Sequence, residues 1–221
     1  MRETDASGRS LSGRPPSPGP AIPGKGKIAA VVALSLLEVI RARDLPTEIL
    51  ESEDPSQTMP RRLGLSGVVD VQIRRLREQA RRRERITVEQ ARDLVHLVLR
   101  RPDSEEVFFQ AGERLAGKIE PLGGVSRLYP QRVLYSLARR QVRKRIRDLF
   151  SRPVGGFAHG PFTLEARGHF LLDMDPGGDA CHLLSGLAQA ILRRYLRRDV
   201  SVSHPSCQAL KHELCRWTAS E

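Results

Sequence analysis

Phe162-Thr163-Leu164-Glu165-Ala166-Arg167-Gly168-His169-Phe170-Leu171-Leu172-Asp173-Met174 is the stretch on which the fold turns. Phe162, Leu164 and Ala166 alternate with Thr163, Glu165 and Arg167, and Phe170, Leu172 and Met174 continue the alternation past Gly168. Alternation is the signature of a half-buried strand, so this stretch predicts two strands joined by a tight turn. Downstream, Asp175-Pro176-Gly177-Gly178 reads as a loop. Asp179 is placed to cap a helix whose inward face is Leu184, Leu187, Ala188, Ile191 and Tyr195. Val200 and Val202 open a third strand, and Cys215, Trp217 and Ala219 alternate on a fourth.

Upstream of Pro153 the period is helical. Leu65, Val69, Ile73, Leu76 and Ala80 form one apolar stripe. Thr87 with Gln90, and Asp103 with Glu106, make capping-box starts ahead of Val88-Ala91-Val95-Val98 and Val107-Ala111-Leu115. Pro130 suits the first turn of a helix carrying Leu134, Leu137, Ala138, Val142, Ile146 and Leu149. The expected class is therefore α+β: N-terminal helices, then a small four-stranded antiparallel sheet with one long helix inserted between the two strand pairs. Composition sets off a disordered Pro/Gly/Ser/Arg-rich tail over 1–27. Glu51 to Met59 is polar and reads as a loop.

Ile28 to Leu37 is apolar, but Glu38, Arg41 and Arg43 follow at once. A membrane-spanning helix needs about 20 apolar residues, so this segment reads as a buried helix. Three cysteines in 221 residues are too few for a disulfide scaffold, and a reducing cytoplasm is the expected compartment. No phosphate-binding glycine loop, nucleophile elbow or HExxH motif is present, so an enzyme ranks behind a binding protein.

All three cysteines fall after residue 180, with three of the six histidines. Cys207 and Cys215 are eight residues apart on either side of a predicted hairpin turn, and Cys181 can return to the same end of the sheet. Thiolates and imidazoles are zinc ligands, which makes Cys181, Cys207, Cys215, His182, His204 and His212 the candidate ligand or metal residues. The alternative is that the cysteines are small buried hydrophobes. The chain carries a net charge of +11, and 32 of its 37 basic residues are arginine. Arg74, Arg75, Arg77, Arg81, Arg82 and Arg83 lie on one helical segment. Arg139, Arg140, Arg143, Lys144, Arg145 and Arg147 lie on another. They are either solvated helix faces or a basic surface for nucleic-acid phosphates or another anionic surface.

The order helix, Gly186, helix, Val200-x-Val202, Cys207, Cys215-x-Trp217 resembles the C-terminal half of the 4-vinyl-reductase domain. That superfamily is shared with transport-protein-particle subunits and haem-based nitric-oxide-binding proteins. Phe108 to Gly117 resembles the helix near the start of that domain, so the resemblance implies a helical N-terminal region over 28–104 and an α+β domain of this type over 105–221. Two positions depart from the pattern: the hairpin glycine is Lys211, and the acidic residue three before the first cysteine is His204. The Tyr-x-Ser-x-Arg motif of the haem-binding relatives is absent, because Tyr135 is followed by Ser136-Leu137-Ala138-Arg139, so haem is not implied. The resemblance implies a non-enzymatic module that senses a small apolar ligand or binds a protein, usually as a homodimer, with a cavity between sheet and helices. The alternative function is a basic protein that binds nucleic acid or anionic surfaces through its arginine-rich helices.

Overall fold

The computed structural model describes residues 27–44, 67–117, 129–158, 160 and 162–220. Expectations for the leader, the 51–59 loop and Leu65 lie outside them. The one described residue of the expected tail, Lys27, opens a short strand, β1 (Lys27–Ala29), which pairs antiparallel with β2 (Arg85–Thr87). Helix α1 (Ala30–Asp44) follows directly and is buried almost all round, as its apolar run requires. Against it packs α2 (Gly67–Arg81), whose Ile73 and Leu76 turn inward while Arg74, Arg75 and Arg77 face out.

Helix α3 (Val88–Leu99) begins at the predicted capping box. The Gln90 amide donates to Thr87 Oγ1 at 3.2 Å, and the Thr87 amide donates to Gln90 Oε1 at 3.1 Å. The second predicted box does not form. Asp103 precedes α4 (Ser104–Leu115) but caps nothing with its side chain. It is held instead by Arg101 at 2.8 Å and Arg43 at 2.7 Å, cations that outcompete a backbone amide for the carboxylate. Helix α5 (Gln131–Phe150) starts one residue after Pro130 and buries the predicted Leu134, Ala138, Val142, Ile146 and Leu149.

The mixed class holds, and the four-stranded sheet runs β3 (Gly156–Phe157), β4 (Thr163–Ala166), β6 (Cys215–Ser220), β5 (Ser201–Ser206), all antiparallel. One predicted strand is wrong: Phe170–Met174 is a short helix, α6, and its place in the sheet is taken by Gly156–Phe157. The chain breaks at Gly168, whose φ is +55°, and His169 enters α6 from extended backbone. Leu171 and Met174, three apart, then face the core. In five residues, apolar positions at both spacings leave the period undecided, and burial of the i, i+3 pair selects helix.

Asp175 does the local capping expected of Asp179. Buried itself, it accepts from the amides of Gly177 at 2.8 Å and Ala180 at 2.7 Å, closing the turn into a 3-10 segment, Asp179–Cys181. Asp179 accepts instead from Ser104 Oγ at 2.6 Å. Helix α7 (His182–Leu196) follows and crosses α4 in the most extensive pair among the described helices. Glycine permits the approach. A Cβ on Gly112 would lie 2.8 Å from the Leu187 amide nitrogen, and one on Gly186 would lie 2.8 Å from the Phe109 carbonyl carbon. The Gln189 side chain accepts from the Val202 amide at 2.9 Å, tying α7 to β5. The sheet lays Leu164, Ala166, Val202, Cys215 and Trp217 on the common core. No described helix is long and apolar enough to cross a membrane.

Candidate metal centre

Cys181 ends the 3-10 turn before α7, Cys207 follows the last residue of β5, and Cys215 opens β6. Strand pairing brings the last two together, with their sulfurs 3.9 Å apart. The α7 crossing brings the first. His204, on β5, completes the group: one donor atom from each of Cys181, His204, Cys207 and Cys215 lies within 4.8 Å of all the others. Of the six residues singled out by sequence, these four converge. His182 does not join them; it is half-buried with Nε2 3.8 Å from Glu105, and burial lowers its pKa. His212 is exposed in the hairpin loop.

The surroundings fix the cluster in place. Trp217 is fully buried, and its indole N–H donates to the Cys181 carbonyl at 3.1 Å. The His204 ring stacks on that indole at 4.8 Å and 17°. Gly178, at φ +96°, lets the preceding turn close on Cys207, since a Cβ there would lie 2.8 Å from the sulfur. The Gln208 amide points at Cys215 Sγ from 3.3 Å. Lys211 stands in the hairpin at φ +65°, the left-handed conformation that favours glycine.

His169 was not singled out by sequence. It is buried, with Nε2 3.9 Å from Cys181 Sγ and its ring 5.5 Å from that of Trp217. No spacing motif marks it, because it reaches the cluster only through the turn at Gly168.

The electrostatics favour one thiolate. Hydrogen bonding with Cys181 draws the Cys215 thiol well below the usual thiol range, with further help from His169, His204 and the Gln208 amide. The same bond raises Cys181, which keeps the proton, and burial raises Cys207. His204 Nε2 is buried without a hydrogen-bond partner, a cost that a metal bond would remove. Zn–S bonds of about 2.3 Å in a tetrahedron set the sulfurs about 3.8 Å apart. The 3.9 Å Cys207–Cys215 separation already meets that, and the rest of the set needs a contraction of under about 1 Å from its 4.8 Å limit. Three thiolates and one imidazole fill all four positions, the pattern of structural zinc, whereas catalytic zinc keeps a position for water.

The two basic segments fare differently. On α2, Arg77 meets Glu38 at 2.7 Å and Arg82 meets Glu78 at 3.0 Å, with Arg81 4.0 Å from the same glutamate. Arg74, Arg75 and Arg83 are exposed. On α5, Arg139 donates to the Gly160 carbonyl, and half-buried Arg145 donates to the Leu115 carbonyl at 2.7 Å. Arg140, Arg143, Lys144 and Arg147 are exposed.

An apolar cavity of about 20 Å³ lies among helices, lined by Val32, Val95, Phe108, Phe150, Met174 and Leu183 among others. It takes little more than one water-sized group. The four-stranded sheet contributes nothing to its lining, so it is not the expected sheet–helix cavity. Comparison with protein-family models, curated proteins and solved structures gives no match.

Proposed function

We propose that the chain is a non-enzymatic module of the 4-vinyl-reductase and transport-protein-particle type, stapled by one structural zinc on Cys181, His204, Cys207 and Cys215. The observation that carries this reading is the convergence of those four donors from three separate elements, three buried thiols and a half-buried imidazole, into one group. Zinc would tie the start of α7 to the β5–β6 hairpin and neutralise the thiolates there. It would supply charge compensation and rigidity, not a reactive water. The module then works by presenting its surface, or by admitting a small apolar ligand at the helical cavity, which must widen to accept one. A homodimer belongs to the same proposal. Its apolar contacts have to come from outside the α5 stripe, because that stripe is covered within the chain.

Elemental analysis with native mass spectrometry tests the proposal. One zinc per chain is expected in the purified protein, falling below about 0.1 in Cys215→Ser, together with a dimer mass. Metal-free protein with an unchanged thermal midpoint would refute the staple.

A further inference from the structure

We propose that the outward face of α5 is a docking surface for the phosphate backbone of duplex DNA, contacted by Arg132, Arg140, Arg143 and Arg147 without reading sequence. The helix buries one apolar stripe and turns these four arginines, with Lys144, to solvent. At 100° per residue the four fall within an ~80° sector and extend ~22 Å along the axis.

What separates this face from an ordinary solvated one is the absence of compensating acid. On α2, Arg77 reaches Glu38 and Arg81 lies 4.0 Å from Glu78, while exposed Arg74 and Arg75 stand four and three residues before Glu78. On α5 the one acidic residue is Asp148. Among the described residues, none of Arg132, Arg140, Arg143, Lys144 or Arg147 has a salt-bridge partner. Holding like charges so close costs self-repulsion, which a polyanion would relieve. Duplex DNA carries about one charge per 1.7 Å of axis with both strands counted, so a ~22 Å length holds about 13 phosphates, of which the four arginines need meet only those on the near side.

The face also has a built element. The guanidinium of Arg143 sits 5.5 Å from the centre of the Phe157 ring, and that of Arg139 sits 5.6 Å from it. Stacking on the ring leaves the N–H edges of Arg143 free to fork onto phosphate oxygens and lowers the entropy lost on binding.

Other occupants suit the face less well. A membrane-surface helix needs an apolar side to insert, and here that side is in the core. A second copy would oppose arginine to arginine. Single strands need aromatic platforms for their bases, and Phe157 already stacks with arginine.

The test is fluorescence anisotropy of a labelled 20-base-pair duplex against the full chain, titrated across salt. Four phosphate contacts predict a slope of log K on log[salt] near −3.6, hence roughly a 150-fold loss of affinity between 50 and 200 mM salt. Arg140→Gln/Arg143→Gln/Arg147→Gln should bring the slope to about −1, with an unchanged thermal midpoint because all three are exposed. Arg140→Lys/Arg143→Lys/Arg147→Lys should retain most of the slope, and Arg74→Gln/Arg75→Gln on α2 should leave it unaltered. Sequence-scrambled duplexes should bind equally. Lack of binding at 50 mM salt, a slope indifferent to the α5 triple, or capture by phosphatidylserine vesicles in preference to duplex would each overturn the proposal.

Discussion

Gly186→Ala should destabilise the protein although alanine is the better helix former. In an exposed helix interior the substitution would gain about 1 kcal/mol. At position 186 the new methyl would fall on the Phe109 carbonyl, 2.8 Å from its carbon and 3.1 Å from the Glu113 amide nitrogen. Carbon contacts are comfortable at about 3.5–4.0 Å, so α4 and α7 must separate by about 1 Å. A gap of that size forfeits a quarter to a half of the dispersion well at each pair it opens. Phe108, Ala111, Leu115, Leu183, Leu187 and Ile191, all essentially inaccessible, lie on these two helices. Overpacking of such cores costs about 1–3 kcal/mol, and here backbone, not a flexible side chain, must yield. At the upper end of that range the loss of contacts outweighs the propensity gain, for a net of about 1–2 kcal/mol. Thermal unfolding followed by circular dichroism should show a midpoint about 2–8 °C lower. Gly112→Ala should behave alike, and the double variant should lose less than the sum, since one separation relieves both clashes. Gly156→Ala, with nothing within 4 Å of its Cβ, is the control and should stay within ~0.5 kcal/mol. A Gly186→Ala midpoint at or above the parent's would refute the close-crossing argument.

Three other outcomes are expected. Chelation, or Cys207→Ser, should lower the thermal midpoint by about 10 °C or more, and zinc affinity should rise with pH because the raised thiols of Cys181 and Cys207 must lose protons to bind, as a competition titration against a zinc indicator would show. Lys211→Gly should stabilise by about 0.5–1 kcal/mol in urea unfolding, by relieving a left-handed residue at φ +65°. Asp103 is held at about 2 in the folded protein, chiefly by the Arg101 hydrogen bond, against 3.8 ordinarily; its contribution is present above pH 4, is lost as pH falls toward 2, and after solvent screening is about 1 kcal/mol, so Asp103→Asn should remove that part of the acid dependence of stability.

Sequence by itself determined what local chemistry controls. The Thr87–Gln90 box starts α3, the Leu134 to Leu149 stripe places α5, and alternation marks β4, β5 and β6. The spacing of Cys207 and Cys215 about a hairpin also foretold their meeting, because the pairing is local. Tertiary structure decided the rest. Gly156–Phe157 is too short to carry a period and is a strand only because β4 pairs with it. Phe170–Met174 satisfies both periods, and the core, not the pattern, chose helix. The arginines of α2 and α5 look alike in sequence. Whether acids arrive opposite them depends on the packing of α2 on α1, which carries Glu38. His169 and Cys181 reach the hairpin across a glycine turn and a helix crossing, contacts between residues 12 to 48 positions apart whose distance no local preference sets. Local propensity acts over a few residues, whereas a metal set is a coincidence of distant backbone positions that only the closed core holds together.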